Sequence, residues 1–374
     1  MRLDDDFEEN NGGLPIIYMA LGVSFFILLV LCVVISVNKD KRPSQKKDTD
    51  VYAVLTDAVK PQESGAIIEA DVTKRVASDL DIWNLYPDKD KEDDDAIDLG
   101  VSPTVKVSPS VSATPSPTPD LNDGKHVKVT YRDGSEEWIT ISDKIEKNNY
   151  DFTNLVESGG KLKYMADGKN ISFMGIDVSR YQKDIDFSRI KEQGIDFVMI
   201  RVGARGYKNG NIVMDEYFKK NLNSAIEAGL DVGVYFYSQA INVSEAEEEA
   251  NIVLAAIAEK KITYPVAFDM EYVENDTSRI DTLTRDEKTL ITAAFVNKIK
   301  EAGCRPMIYG NKEWLLKRID VSKFTTSAFW LSQDDEHPDY PYKYDIWQYT
   351  TEGEIYGIDG AVDMDICFVD YAAQ

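Results

Sequence analysis

The chain has 374 residues, an apolar fraction of 43 % and a formal net charge of −24. An apolar fraction of this size supports a hydrophobic core and excludes a wholly disordered protein. The 66 acidic side chains outnumber 42 basic ones, which argues against nucleic acid as a partner because phosphate binding depends on cationic patches.

Cysteine and histidine are scarce. Cys32 lies in an apolar run, so Cys304 and Cys367 either pair or remain separate thiols, and we favour separate thiols because free cysteine is commonly buried. The two histidines, His126 and His337, are too few for a zinc site or an imidazole dyad. We expect neither a metal nor a cofactor.

Residues 14–37 contain no charged side chain. As a helix they span about 36 Å, and a hydrocarbon core is about 30 Å thick. A cleaved signal peptide is the alternative, but the run exceeds a signal-peptide core and lacks a clear cleavage motif. We therefore predict a tail at 1–13, then a single-pass transmembrane helix at 14–37 that anchors the chain in the lipid bilayer of the cell membrane.

The charges that flank this segment bear on its orientation. Arg2 precedes it alone, whereas five basic residues come after it between positions 39 and 47, which favours a cytoplasmic C-terminal side. Long domains, however, are translocated largely regardless of flanking charge. The flanks alone leave the orientation open.

Residues 38–125 have a composition that is unsuited to a core. An acidic run at 88–95 is followed by a Pro-, Ser- and Thr-rich stretch at 103–119, which favours an extended stalk. Residues 126–170 begin with alternating apolar positions around Asp133-Gly134, a pattern that predicts a β-hairpin. This small β extension should pack on the C-terminal part of the chain, and its composition suggests no chemistry.

From residue 171 to 374, short apolar runs alternate with helical periods. Runs of this kind are typical of parallel strands that are buried on both faces, and they lie at 174–178, 197–202, 232–237, 265–270, 306–309, 328–331, 344–349 and 362–368. Helices are predicted at 215–228, 244–261, 285–302 and 311–319. A capping box at Ser244 and Glu247 should begin the second helix, and Gly229 and Gly303 should come directly after the ends of the first and third.

Eight strands in this order predict an α/β barrel that resembles a TIM barrel. The stretches between the last three predicted strands are rich in Asp, Pro and Gly and leave no room for a good helix. We therefore predict an irregular barrel with helices beside the first five strands only.

Acidic residues mark three predicted strands at or near their ends: Asp177 in the first, Asp269 and Glu271 in the fourth, and Asp363 and Asp365 in the last. Active sites of such barrels lie at the C-terminal ends of the strands. Asp269 and Glu271 share a face, and mutual repulsion should raise one pKa. This arrangement suits general acid catalysis on a glycosidic bond. The alternatives are a metal site, loop caps or ion pairs with Arg201.

Aromatic side chains are predicted around the same rim: Tyr181, Tyr235, Tyr237, Trp330, Trp347 and Tyr349. Sugar rings pack their C–H faces on aromatic planes, so such a rim suits a saccharide groove. Taken singly, each aromatic is more often a core residue, and Trp347 beside Gln348 is the strongest exception. The predicted substrate-binding set is Tyr181, Arg201, Tyr235, Tyr237, Trp330, Trp347, Gln348 and Asp365.

Three stretches occur in order: GIDVSRYQKDIDF at 175–187, FDMEY at 268–272 and IWQYTTEGEIYGIDGAVDMD at 346–365. With them the region resembles glycoside hydrolase family 25, the Chalaropsis-type lysozymes. The resemblance implies five β/α units plus three strands, and hydrolysis of the β-1,4 bond between N-acetylmuramic acid and N-acetylglucosamine in peptidoglycan. The family often has Asn where this chain has Asp365, and Trp where it has Tyr181.

The resemblance also implies roles for the acids. Glu271 resembles the general acid, and Asp269 resembles the carboxylate that stabilises the transition state or orients the substrate's 2-acetamido group. Asp177 and Asp363 resemble the remaining acids of the cleft. We favour assistance by the acetamido group over direct attack by water. A retaining, inverting or substrate-assisted course cannot be read from the sequence.

Because peptidoglycan lies outside the membrane, we expect the barrel to be extracytoplasmic, against the flanking charges. We also expect the protein to be a monomer. Two alternatives remain open. The first is a non-catalytic cell-wall-binding module, and the second is a related glycosidase that acts on chitin-like polymers.

Overall fold

The computed structural model describes residues 123–273 and 276–373. They belong to the second of two units, Ala70–Gln374, and the first unit, Met1–Glu69, lies outside them. The predicted tail and transmembrane segment and all but the last residues of the predicted stalk also lie outside the described residues. Within the described ranges, no helix has the combination of length and apolar character that crossing a bilayer requires.

The predicted hairpin is confirmed. Strands β1 (His126–Thr130) and β2 (Glu136–Thr140) pair antiparallel, with His126 opposite Thr140. Gly134 adopts φ +77° in the turn, a conformation that side chains with a Cβ rarely adopt. A second antiparallel sheet comes next, of β3 (Leu155–Ser158), β4 (Lys161–Ala166) and β5 (Lys169–Asn170).

A nine-stranded sheet forms the main part of the described chain. Its strands are β6 (Phe173–Val178), β7 (Phe197–Arg205), β8 (Ile212–Met214), β9 (Asp231–Ser238), β10 (Val266–Met270), β11 (Pro306–Asn311), β12 (Ala328–Ser332), β13 (Ile346–Gly353) and β14 (Val362–Cys367). All except β8 close into a barrel, because β6 pairs with β7 on one side and with β14 on the other. The predicted eight-stranded α/β barrel is therefore confirmed.

The closing strand runs against the others. β14 is antiparallel to both β13 and β6, whereas the other neighbouring barrel strands are parallel. The beginning of β14 therefore lies at the same end of the barrel as the C-terminal ends of the parallel strands. The short β8, which the sequence did not predict, pairs antiparallel with the end of β7.

Helical segments come after only the first five barrel strands, as predicted. They are α1 (Phe187–Glu192), α2 (Phe218–Glu227), α3 (Val243–Ala256), α4 (Arg285–Glu301) and a π-helical turn at Trp314–Arg318. The sequence analysis missed α1, and it predicted an ordinary helix where the π-helical turn lies.

The helix ends reflect local chemistry. Gly229 and Gly303 adopt φ of +76° and +80° after α2 and α4, as predicted for C-terminal caps. The predicted capping box at Ser244 is wrong: α3 begins at Val243, and its N-cap is Asn242, whose side chain accepts a hydrogen bond from the Glu245 N–H at 3.0 Å. A capping box instead begins α4, between Thr284 and Glu287.

Two apolar layers support the barrel. The inner layer fills the barrel below its mouth with side chains such as Phe197, Met199, Ala267 and Met307, all fully buried. The outer layer lies between the strands and the helices and includes the even-numbered positions of β7, from Val198 to Val202. Cys304 and Cys367 are both free thiols, as the sequence analysis favoured.

Candidate active site

A cavity of about 260 Å³ lies at the mouth of the barrel. The acidic side chains that line it are Asp177, Asp269, Glu271, Glu313 and Asp363. The first three come from the C-terminal ends of β6 and β10, and Asp363 comes from the beginning of β14. The structure therefore brings together the four acids for which the sequence predicted catalysis.

Strand pairing places Asp177 and Asp363 side by side. The two residues are register partners across β6 and β14, and their side chains are hydrogen-bonded to each other. Gln348 of β13 also donates a hydrogen bond through Nε2 to Asp177 Oδ2, at 2.8 Å. These contacts cross three strands that meet only when the barrel closes.

Burial sets the protonation of this pair. It raises the pKa of Asp177 to about 6, although the hydrogen bonds from Gln348 and Asp363 and the charge of Arg201 act to lower it. The pKa of Asp363 is raised well above its ordinary value by burial and by the neighbouring Asp177. Burial therefore favours the protonated form of both carboxyls, and more strongly that of Asp363.

Asp269 is as buried as Asp177, at 5 % exposure. Burial, then the charges of Glu271 and Asp177, raise its pKa well above the ordinary value. Its Oδ1 has no hydrogen-bond partner among the described residues. A buried carboxyl oxygen that lines a cavity and lacks a hydrogen-bond partner is placed to bind a polar group of a bound molecule.

Glu271 is the first residue after β10 and is only partly buried. Its backbone carbonyl accepts a hydrogen bond from Gln239 Nε2 at 2.8 Å, which fixes the chain where the strand ends. Its charge acts on the phenols of Tyr237 and Tyr309, whose pKa values are raised mainly by burial and next by this carboxylate. Glu271 thus faces the cavity beside Asp269.

Arg201 lines the cavity but is not an unmatched cation. Its Nη2 lies 3.0 Å from Asp215 Oδ2, and both side chains are almost fully buried. Its Cζ lies 5.2 Å from the centre of the Tyr181 ring. The alternative that the mouth acids pair with Arg201 is therefore not what the structure shows, since Asp215 makes that ion pair.

The predicted aromatic rim is present in part. Tyr181, Tyr235, Tyr237 and Trp330 line the cavity. Tyr309, which the sequence analysis did not select, also lines it, lies 4.8 Å from Trp330 between ring centres, and donates through its hydroxyl to Gln348 Oε1 at 3.0 Å. The available signal was its place at the end of a predicted strand.

Two predicted binding residues lie elsewhere. Trp347 is fully buried on the outer face of β13, where its Nε1 donates to the Gln333 carbonyl at 2.8 Å. It points away from the mouth because its neighbour Gln348 points in and side chains alternate along a strand. Asp365 is fully buried below the cavity and accepts a hydrogen bond from Trp330 Nε1 at 2.8 Å, so it positions Trp330 rather than lining the mouth.

The hairpin, whose composition suggested no chemistry, also reaches the mouth. Arg132 lines the cavity and donates through Nη2 to the Val273 carbonyl at 2.8 Å. No group of three or more His, Cys, Asp or Glu side chains within residues 123–273 and 276–373 is placed to hold a metal ion.

Most residues of this mouth lie within a stretch that matches a known family. Residues 176–358 match the sequence profile of the family described as Glycosyl hydrolases family 25. The barrel carries a family 25 domain. The protein is accordingly a glycoside hydrolase, and Asp177, Asp269 and Glu271 lie inside the matched region, whereas Asp363 lies after it and Arg132 precedes it.

Relatives of the family 25 domain are distant. The chain is 24 % identical over 195 residues to the uncharacterized protein YegX of Escherichia coli strain K12, which covers 51 % of this chain and 68 % of YegX. It is 25 % identical over 193 residues to the autolytic lysozyme of Clostridium acetobutylicum, over 51 % of this chain and 54 % of that one. A solved family 25 glycosyl hydrolase from Bacillus anthracis matches with a TM-score of 0.44 at 20 % identity, over 57 % and 96 % of the two chains.

Proposed function

We propose that this glycoside hydrolase is a peptidoglycan hydrolase that cleaves the β-1,4 bond between N-acetylmuramic acid and N-acetylglucosamine. The observation that carries the proposal is the meeting of Asp177, Asp269, Glu271 and Asp363 in one cavity with an aromatic wall. The family match supports the same reaction class, and a chain similar to this one is named an autolytic lysozyme.

Glu271 serves in this proposal as general acid and base. It is the more accessible member of the pair with Asp269, so the glycosidic oxygen can approach it. Its proton passes to that oxygen as the bond to C1 of the muramic acid residue breaks. The same carboxylate then removes a proton from the water that completes hydrolysis.

Asp269 acts on the substrate's 2-acetamido group. Its Oδ1, which has no partner within the described residues, is placed to accept a hydrogen bond from the acetamido N–H. The acetamido oxygen can then attack C1, and the positive charge that develops lies close to the acids of the mouth. Asp177 and Asp363 complete the acidic lining of the cavity around this group.

Replacing Glu271 by Gln tests the assignment. We expect release of reducing ends from purified peptidoglycan to fall about 10³-fold, because proton transfer by a placed side chain contributes about 10²–10⁴-fold. The thermal midpoint should stay within a few degrees. Mass spectrometry of the products of the unaltered chain should show muramic acid at the new reducing ends.

Glu227, an exposed residue at the end of α2, provides the matched control. Glu227→Gln should retain full activity. Unchanged activity in Glu271→Gln would refute the assigned role, and faster turnover of chitin oligomers than of peptidoglycan by the unaltered chain would favour the chitin-type glycosidase instead.

We also propose that residues 14–37 anchor the enzyme in the cell membrane and that the barrel lies outside the membrane, where its substrate is. The apolar run is long enough to cross a bilayer, and the Pro-rich stretch after it suits a spacer. Added protease should degrade the barrel on intact cells while the chain stays in the membrane fraction at high pH. Complete protection of the barrel would contradict this placement.

A further inference from the structure

The hairpin of β1 and β2 contributes a wall to the mouth although it precedes the family 25 domain. Arg132 stands at the start of its turn and lines the same cavity as the four acids. Its Nη2 binds the carbonyl of Val273, two residues after Glu271. Its Cζ also lies 4.9 Å from the centre of the Tyr272 ring, a distance typical of a cation–π contact.

The position of this arginine is fixed by contacts between the hairpin and the π-helical turn. Glu137 of β2 binds Lys317 Nζ at 2.9 Å and accepts a hydrogen bond from the Tyr131 hydroxyl. The Cζ of Arg318 lies 5.6 Å from the centre of the Tyr131 ring. Tyr131, which directly precedes Arg132, is therefore held between the hairpin and the π-helical turn.

The charges of the mouth distinguish Arg132. Among the described residues that line the cavity, the basic side chains are Arg132 and Arg201. Arg201 is buried and matched by Asp215. Arg132 is exposed, its hydrogen bond goes to a neutral carbonyl, and no described carboxylate pairs with it. It is thus the cation of the mouth that can meet an anion from solvent.

We infer that Arg132 forms a subsite that binds a carboxylate of the glycan substrate, near the glycosidic bond whose oxygen Glu271 protonates. This inference rests on the proposed function. A muramic acid residue without a stem peptide carries a free carboxylate on its lactyl ether, whereas an attached stem peptide converts that carboxyl to an amide and brings carboxylates of its own. The acids of the mouth repel such groups, whereas a guanidinium binds a carboxylate with two parallel hydrogen bonds.

The test compares Arg132→Gln, Arg132→Lys and Lys128→Gln in the full chain. Lys128 lies in the same hairpin, pairs with Glu136 and does not line the cavity, so its variant controls for the loss of one charge. Three substrates are used: intact peptidoglycan, glycan strands from which an amidase has removed the peptides, and the same strands with their carboxyls amidated.

We expect Arg132→Gln to raise KM for peptidoglycan three- to tenfold with kcat within twofold, and the shift to shrink at high salt because exposed charges are screened. Arg132→Lys should restore part of the loss, and Lys128→Gln should match the unaltered chain. A shift on peptide-free strands identifies the lactyl carboxylate, which the amidase has freed from its amide bond. A shift that appears only on intact peptidoglycan identifies a peptide carboxylate.

Three results would overturn the inference: an unchanged KM for Arg132→Gln, an equal shift in Lys128→Gln, or a shift that survives amidation of the carboxyls. An unaltered chain that releases no reducing ends would overturn the proposed function, and the inference with it. An active chain with an unchanged KM in the variant would overturn the inference alone.

Discussion

The two walls of the mouth are built in different ways. The barrel wall carries Asp177 and Asp269, each 5 % exposed, on strands whose pairing fixes them in place. The hairpin wall carries the exposed Arg132, held by a carbonyl, an aromatic ring and contacts between partly exposed charges. The barrel wall holds buried acids, whose burial lowers the stability of the fold. The hairpin wall adds an exposed cation, which costs the fold little stability.

This difference separates chemistry from recognition. Buried carboxyls that lack cationic partners destabilise the folded state, and the proposed function explains why the barrel wall retains them. The hairpin can change without disturbing the strands, so it is suited to setting which substrate binds. Changes in the barrel wall should therefore alter kcat and stability, whereas changes in the hairpin should alter KM.

After Glu271→Gln, the largest effect is expected from Asp269→Asn. Activity should fall about 10²–10³-fold because an amide cannot replace the carboxyl that meets the substrate. The free energy of unfolding at pH 7 should rise by about 1–2 kcal/mol, since the change removes a buried acid whose pKa is raised well above its ordinary value. Denaturant titration and reducing-end release measure the two quantities.

Asp359, an exposed residue between β13 and β14, supplies the control for this variant. Asp359→Asn should leave both quantities unchanged. If Asp269→Asn proved less stable than the unaltered chain, the barrel wall would not be strained by its acids and the comparison would fail.

A smaller effect concerns pH. The pKa of Asp177 is raised from 3.8 to about 6 in the folded chain, first by burial, so the folded state holds this proton more tightly than the unfolded state. The stability that it contributes is complete below about pH 4 and is lost as the pH rises through about 6. Relative to Asp177→Asn, the unaltered chain should lose on the order of 1–3 kcal/mol between pH 4 and pH 7.

Denaturation curves of both chains at intervals between pH 4 and pH 8 measure this difference. Subtracting the variant's values removes contributions from groups outside the pair of Asp177 and Asp363, including Glu249, whose pKa burial raises to about 7. A difference that stays constant over the whole range would show that Asp177 does not hold a proton in the folded mouth.

The smallest effect is expected from Tyr131→Leu, which removes contacts between the hairpin and the π-helical turn. Loss of the contacts with Arg318 and Glu137 should lower the free energy of unfolding by about 0.5–1 kcal/mol. KM for peptidoglycan should rise about twofold at unchanged kcat, because Arg132 is held less firmly. Tyr356, whose ring lies 4.8 Å from Arg189 Cζ away from the mouth, offers a matched control in Tyr356→Leu. A drop in kcat for Tyr131→Leu would contradict the division of roles.

The barrel strands and the main helices could be predicted because their signals are local. A strand buried on both faces needs a continuous apolar run, and 266–270 is such a run except for Asp269. Helix ends such as Gly229 depend on backbone conformations that glycine adopts readily. The start of α3 was misplaced because Asn242 and Ser244 both resemble caps, and only the tertiary structure selects one.

The acids of the mouth were also accessible to local reasoning, since strand ends converge in a barrel. The misassignment of Trp347 arose because the sequence does not show whether the odd- or the even-numbered side chains of β13 face inward. Which set faces inward depends on the pairing of β13 with β12 and β14. Once Gln348 is known to bind Asp177, alternation alone sends Trp347 outward.

Arg132 was beyond reach for another reason. Its place depends on the contact of Glu137 with Lys317, which lies 180 positions away along the chain. Nothing in a hairpin sequence shows where the hairpin docks. Long-range contacts of this kind are what sequence patterns omit.

The last strand of the barrel is also the last of its strands to leave the ribosome. β14 fits between β13 and β6 and brings Asp363 to Asp177. A polypeptide whose translation stops before residue 362 lacks Asp363 and one side of the cavity, however well its earlier strands have folded. Under the proposed function, such a hydrolase gains activity only after its closing strand has been made.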